Sequence, residues 1–382
     1  MDHDVIVVGA GPGGATAAMA LAQKGYDVLL LDRQNFPRDK VCGDAVPATA
    51  LDLLLALGMK EKIAAADFYY IDKLRLVSPK GYSMDADLED EHHLIQSAIV
   101  PREKFDVLLQ EHAVDSGAQF VQAHVKEPIL EDGKVAGVRA RVNGSDKQFR
   151  SKVVIAADGV TSAIARHIRS DEHVDHHRAV ALRAYIEDID ELPHQVEFYL
   201  YEEILPGYAW IFPLGEGKAN IGLGMRLDTF RQKNYNLKQM LAQFMEMPDI
   251  RKRLKNGGQL HDIATWQLNF GSQKNIQRVY DGALLIGDAA GFINPLTGGG
   301  ISNALISARL AVESVHQAFL KEDFSADSLR VYEDYCKQEL WRGLRRSYYL
   351  QRVMELTPFV VDWIVRRAQQ HGEFAQTFMT KL

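Results

Sequence analysis

Apolar residues in this chain gather into a few short, dense runs. Val5 to Val8 and Val28 to Leu31 are runs of the length of a buried strand. Between them a glycine turn, Gly9 to Gly14, leads into an alanine-rich segment, Ala15 to Lys24, which reads as a helix stopped at Gly25. Strand, turn, helix and strand in that order predict a parallel unit. Two further runs of the same kind, Val153 to Ala157 and Ala283 to Ile286, meet Asp158-Gly159 and Gly287-Asp288. Leu51 to Leu57 before Gly58, Glu103 to Ser116 between Pro101 and Gly117, and residues 301 to 319 read as helices.

The pattern between these runs is different. Residues 68 to 100 alternate, and 178 to 225 carry aromatic and β-branched stretches broken by Pro206-Gly207 and Gly215-Glu216-Gly217. Both predict β structure in another layer. Asn236 to Asn256 reads as a helix pair or one broken helix, and 326 to 382 as helical throughout. The expected fold is α/β. A discontinuous Rossmann-like domain is built from 1–65, 96–170 and 271–325. An antiparallel β-sheet domain, 66–95 and 171–270, is inserted into it, and a helical region, 326–382, follows.

Composition narrows the classes. The chain has 382 residues, 47% hydrophobic and 25% charged, which is ordinary globular usage. A net charge of −7 argues against a nucleic-acid partner. Two distant cysteines, Cys42 and Cys336, form neither a disulfide framework nor a metal spacing and fit a reducing cytoplasm. The first residues run straight into a strand, unlike a signal peptide. No apolar run approaches the roughly 18 residues of a membrane span. His92-His93 and His176-His177 lack a third ligand at metal spacing and read as surface loops, so no metal is expected.

Three segments carry chemistry. Gly9-x-Gly11-x-x-Gly14, with Pro12 and Gly13 inside it, sits between strand and helix. Such a turn lets a pyrophosphate approach the backbone at a helix N-terminus. Asp32 follows Gly14 by 18 residues at a strand end, placed to accept from ribose hydroxyls. Arg33 beside it suits a 2′-phosphate, so this unit alone leaves NAD, NADP and FAD open. Asp158-Gly159 alone is a common turn. Gly287-Asp288 followed by Pro295 and Gly298-Gly299-Gly300 offers bare N–H groups at a helix start, which suit an electron-rich ring edge.

Together these segments resemble FAD-dependent oxidoreductases of the para-hydroxybenzoate hydroxylase type, and more narrowly the geranylgeranyl reductase family. The stretches are VIVVGAGPGGATAA, PRDKVCGDAV, PREKFD, VVIAADGVTSAIAR, GYAWIFP and GDAAGFINPLTGGGISNAL, spanning residues 5 to 305, about four fifths of the chain. PRxKxCG and YxWxFP point to the reductases. The resemblance implies FAD, with Gly9, Gly11, Gly14 and Asp32 on its adenosine half. It implies Arg102 reaching the cofactor, Asp158-Gly159 beside the pyrophosphate and Asp288 on the ribityl chain. It places Gly298 to Gly300 against the ring and Lys40, Cys42 and Gly43 near it, with Lys40 and Cys42 as catalytic candidates. Tyr208, Trp210, Phe212 and Pro213 would line a substrate channel. Aromatics at alternate strand positions share one face, which suits a long apolar ligand or the sheet's own core. Asp32 stands where the family more often has Glu, and the C-terminal region is short.

The implied reaction is flavin-dependent reduction of C=C bonds in a polyprenyl (geranylgeranyl) chain on a lipid, quinone or pigment precursor. Hydride reaches one carbon and a proton the other. There is no second GxGxxG, so NAD(P)H or a reduced electron carrier would visit transiently. Two other readings stay open: a flavin monooxygenase or halogenase of an aromatic, and a non-enzymatic prenyl-lipid carrier. Halogenases carry W-x-W-x-I-P where this chain has Tyr208 and Phe212. A carrier would be colourless.

At the C-terminus, Thr357-Pro358 is a helix start, and Leu356, Phe359, Val360, Trp363 and Ile364 form an apolar stripe. Arg342, Arg345, Arg346, Arg352, Arg366 and Arg367 edge it. Such a stripe fits a membrane surface, a core or a dimer contact. The protein is expected in the cytoplasm, with the membrane surface as a further location. Cys42 keeps three readings: flavin contact, proton donor, or a small buried hydrophobe.

Overall fold

The four dense apolar runs become neighbouring strands of one sheet. The structure, a computed structural model, describes residues 2–88, 93–190 and 193–370. β1 (His3–Val8) lies between β2 (Val28–Asp32) and the strand Ser145–Ala156, both parallel to it. Ala283–Leu285 and Gln119–Gln122 extend the parallel order on either side. Val5, Ile6 and Val7 are fully buried, as expected of strands covered on both faces. α1 (Pro12–Gln23) returns the chain from β1 to β2 and packs against the helices Arg102–Asp115 and Ile301–Lys321. α1 begins three residues before the predicted Ala15. Gly11 is extended and acts as N-cap, and Pro12 fits the first helical position.

A hairpin, His124–Glu131 and Lys134–Val142, was not predicted. It turns at Asp132-Gly133, both with positive φ, and pairs with the outer half of Ser145–Ala156. A second sheet has seven strands, running Leu254–Asn269, Arg178–Ile189, Lys218–Arg226, Tyr208–Gly215, Gln195–Tyr199, Lys73–Val77 and Ser83–Asp87 in spatial order. All its pairings are antiparallel except that of Gln195–Tyr199 with Lys73–Val77. A three-stranded sheet, Ala45–Val46, Ser97–Ile99 and Tyr69–Ile71, completes the β structure of the described residues.

The predicted helix region 236–256 is corrected at its end. Leu237–Met245 and Pro248–Arg251 are helical, but Leu254 already begins a strand. Asn256, Gly257 and Gly258 all take positive φ, which no right-handed helix tolerates. The C-terminal region is helical to Gln370, through Arg342–Leu356 and Pro358–Gln370; its last twelve residues, 371–382, and His92 lie outside the described residues. His176 is exposed on a short 3₁₀ turn, while half-buried His177 hydrogen-bonds Ser272 and packs on Tyr348.

Strand period decides what the seven-stranded sheet offers on each face. Val180, Leu182, Ala184, Ala209, Ile211, Ile221 and Leu223 share one core with Leu237, Met240, Leu241 and Phe244 of the helix behind them. Their neighbours, Ala181, Arg183, Tyr208, Trp210, Phe212 and Gly224, line a cavity on the opposite face. The helix therefore closes one side and leaves the other as a wall of the site.

Candidate active site

The site begins where β1 ends. Gly9 has φ +100°, and the Asp32 carboxylate at the end of β2 accepts from the Ala10 N–H at 2.8 Å and the Gln34 N–H at 2.9 Å. This pins the glycine turn to β2. A Cβ on Gly14 would lie 1.8 Å from the Gly9 carbonyl, so only glycine lets α1 leave β1 this closely. Gly14 faces that carbonyl and is not among the residues lining the cavity, whereas Gly9, Gly11, Pro12 and Gly13 are. Asp158 accepts from the Ala163 N–H at 2.7 Å, capping Ala163–Ile168. Its other oxygen is buried without a partner, and burial pushes its pKa up.

Positive charge is held beside Gly11. Arg102 opens its helix and grips Asp106 one turn on, through two bonds of 2.7 Å. Arg38 joins the same carboxylate at 2.8 Å. Asp106 is fully buried and Arg102 is 4% exposed. Burial opposes the Arg102 charge, but Asp106 overrides it and raises its pKa. Arg38 also lies 4.0 Å from the Asp32 carboxylate, so two guanidiniums and two carboxylates meet beside Gly11. Both guanidiniums reach within 4 Å of the Gly11 Cβ position. Arg38 and Asp106 were not singled out in the sequence.

The third strand end supplies Asp288, on a single 3₁₀ turn. Lys40 reaches it at 2.9 Å. Burial would raise the Asp288 pKa, but the ammonium holds it below the usual carboxylate range. The following loop is shaped by Asn294, whose side-chain oxygen accepts from Leu296 and Thr297 N–H groups. Gln351 of the helix Arg342–Leu356 donates to the Pro295 carbonyl at 2.6 Å. Gly298 to Gly300 then open the helix Ile301–Lys321, with Gly300 as its N-cap.

Cys42, half-buried, lies between these parts and the second sheet. Burial pushes its thiol pKa up, and Arg102 partly offsets this. Its carbonyl accepts from the Asn220 side-chain amide at 2.8 Å. Asn220 accepts in turn from the Trp210 indole N–H at 2.9 Å. Tyr208 donates to the Thr297 carbonyl, and Phe212 lies against Gly43. Tyr208, Trp210 and Phe212 therefore present one aromatic face. Pro213 does not belong to it: odd strand positions share the opposite face with Ala209 and Ile211, and Pro213 is absent from the cavity lining.

All other predicted site residues, Arg33, Gly159, Gly287 and Pro295 among them, line one cavity of about 1090 Å³. That exceeds the roughly 300–1,000 Å³ usual for small-molecule sites and allows a dinucleotide plus a second ligand. Phe198, Trp266, Leu268 and Arg183, which sequence reading passed over, also line it. Among the described residues no cluster of metal-ligating side chains occurs.

These residues fit FAD. The cavity runs from the Gly9–Gly14 turn past two guanidiniums to a glycine-rich helix start, and an unpartnered Asp158 oxygen borders it. The FAD binding domain family matches residues 2–347. Digeranylgeranylglycerophospholipid reductase 2 of Methanopyrus kandleri is 32% identical over 363 residues, covering 92% of this chain and 87% of that protein. The digeranylgeranylglycerophospholipid reductase of Methanosphaerula palustris is 33% identical, covering 92% of this chain and 86% of that protein. A geranylgeranyl bacteriochlorophyll reductase-like protein from Thermoplasma acidophilum superposes with a TM-score of 0.83 at 28% identity, over 95% of this chain and 91% of that one. A flavin-dependent brominase shares the fold, with a TM-score of 0.76 at 22% identity, over 96% of this chain and 93% of its own. The chain belongs to the geranylgeranyl reductase family of FAD-dependent oxidoreductases.

Proposed function

We propose that the protein reduces C=C bonds of a geranylgeranyl-type polyprenyl chain carried on a lipid, quinone or pigment precursor. The observation that carries this reading is a shared cavity, in which Cys42 lies between the glycine-rich cofactor loops and an aromatic wall. The reductases to which the chain is similar support it. Bound FAD, once reduced, supplies the hydride. Its electrons would come from NAD(P)H or a reduced carrier protein.

The chain's own residues do the rest. Arg102 and Arg38 would hold the phosphates, and the Gly298–Gly300 loop would hold the ring edge. Tyr208, Trp210 and Phe212 seat the apolar chain and exclude water. An isolated alkene accepts hydride poorly, so a proton must reach the second carbon as hydride reaches the first. Cys42 holds that proton: its raised pKa keeps it a thiol at neutral pH, and the thiolate left behind faces Arg102.

Anaerobic turnover with dithionite and a geranylgeranyl substrate tests this. A product heavier by two hydrogens per reduced bond is expected; product only in the presence of O₂ would transfer the chain to the monooxygenase and halogenase reading. Cys42→Ala is expected to keep its flavin and lose about a hundredfold in turnover. Unchanged turnover would remove the thiol from the reaction.

The C-terminal helices suit contact with an anionic lipid surface. Tyr349, Val353, Leu356, Phe359 and Trp363 are between 51% and 72% exposed, and Arg345, Arg346, Arg366 and Arg367 belong to the same two helices. Apolar side chains with basic neighbours complement anionic headgroups. Among the described residues no helix is long and apolar enough to cross a membrane. Co-sedimentation with anionic phospholipid vesicles should fall at least tenfold in Leu356→Asp/Phe359→Asp/Trp363→Asp. Unchanged sedimentation, or loss of a dimer instead, would assign this face elsewhere.

A further inference from the structure

On the reading above, the Cys42 thiolate must be reprotonated after each reduction, while the prenyl chain seated on the aromatic wall covers it. A second acid lies two residues along the chain. Asp44 takes φ +63°, a left-handed turn, and is fully buried. One carboxylate oxygen accepts from the Tyr185 hydroxyl at 2.8 Å and from the Asn220 amide at 2.8 Å. That same amide nitrogen donates to the Cys42 carbonyl. The other oxygen is buried without a partner and is free to carry a proton. The Asp44 backbone N–H faces the Cys42 side chain. Catalysis by Cys42 as read above makes no use of this buried, half-satisfied carboxyl. A buried carboxyl without full hydrogen bonding is expensive unless it has work to do.

We propose that Asp44 is the acid that returns the proton to Cys42, with Tyr185 linking it toward the surface. This rests on Cys42 as the proton donor to the alkene. The transfer balances: the Asp44 O–H bond breaks, a Cys42 S–H bond forms, and the charge moves from sulfur to carboxylate. The carboxylate then takes the Tyr185 hydroxyl proton as Tyr185 takes one from solvent. Tyr185 is half-buried, with its ring 5.6 Å from the ring of exposed His261. The groups facing Asp44 set its acidity. Burial raises its pKa to about 6, while Tyr185 and Asn220 bonds and the Arg183 and Arg102 charges pull it down. Arg183 is itself paired with Asp39 at 2.5 Å, and Lys40 with Asp288. Burial raises the Cys42 thiol from a much higher starting value, and the Asp44 charge adds to this, so transfer from Asp44 to the thiolate runs downhill.

Two measurements on the FAD-loaded protein test this, and the first needs no substrate. The rate of iodoacetamide alkylation at Cys42 is followed by mass spectrometry from pH 5 to 10, with buried Cys336 as internal reference. Asp44→Asn removes a neighbouring negative charge and is expected to lower the Cys42 midpoint by about one pH unit; an unmoved midpoint overturns the proposal. In the second, turnover of the geranylgeranyl substrate is followed against pH. The wild type should lose rate as pH rises through about 6, because the protonated Asp44 is consumed there. Asp44→Asn should lose this limb and about thirtyfold in kcat, with KM and flavin content unchanged. Tyr185→Phe, the milder change, should lose about tenfold while keeping the limb. A full rate and an intact limb in both variants overturn the proposal. If the wild type reduces no geranylgeranyl substrate, the function proposed above falls, and the alkylation midpoint alone decides whether Asp44 is coupled to Cys42.

Discussion

Arg102→Ala is expected to purify without yellow colour and to melt lower than the wild type. Arg102 is 4% exposed and holds fully buried Asp106 through both carboxylate oxygens. Removing one partner of a buried pair strands the other, which costs roughly 3–5 kcal/mol. Here Arg38 still holds Asp106 at 2.8 Å, so a loss of about 2–3 kcal/mol is expected. The larger effect falls on the cofactor. With Arg102 gone, Arg38 alone, already shared between Asp106 and Asp32, would have to serve the phosphates expected beside Gly11. The ratio of absorbance at 450 nm to that at 280 nm reads flavin content, and a melt of the flavin-free protein reads the pair by itself. Arg102→Lys keeps the charge but not the two-pronged grip, and should fall between. Full flavin content in Arg102→Ala would show that the guanidinium holds the fold and not the cofactor.

Gly222→Ala is expected to keep its flavin and lose its substrate. A Cβ there would lie 2.3 Å from both the Leu182 carbonyl and the Trp210 ring. The carbonyl belongs to the neighbouring strand and cannot swing away. The indole therefore has to leave, breaking its bond to Asn220, the residue that also holds the Cys42 carbonyl. One methyl group thus disturbs the aromatic wall and the thiol loop together. Turnover should fall at least a hundredfold, about 3 kcal/mol in the barrier. Displacing a buried indole should cost stability of the same order. Stopped-flow reduction of the bound flavin should be unchanged, since the glycine-rich loops are untouched. A variant with normal turnover would show that Trp210 only packs the sheet.

Much of this could be read along the chain because the cofactor unit is local. Val5 to Asp32 contains its own strand, turn, helix and carboxylate, and each residue's role follows from near neighbours. Cys42 stood out as one of two cysteines. Arg38 and Asp106 did not, since their meaning depends on the helix Arg102–Asp115 folding back over the loop. Asn220 was invisible for the same reason: it is one asparagine in a strand, and only pairing with Tyr208–Gly215 brings it to Trp210. Pro213 was misplaced because YxWxFP reads as one motif, although its last residue has the wrong parity for the face. The hairpin 124–142 hid behind alternation with charged residues. The Asn256-Gly257-Gly258 turn lay inside what read as helix.

The Trp210–Asn220 bond has a consequence for discrimination. The indole N–H of the aromatic wall is satisfied from behind, and the Tyr208 hydroxyl is committed to Thr297. What this wall offers a ligand is carbon. Surfaces of that kind read bulk and shape, and a change as small as two hydrogens barely alters their affinity. If the substrate is the prenyl chain proposed above, the spent chain and the fresh one weigh nearly the same on this wall. Clearance of product would then depend on the surrounding concentration of each, and the degree of reduction reached would become a property of dwell time and supply.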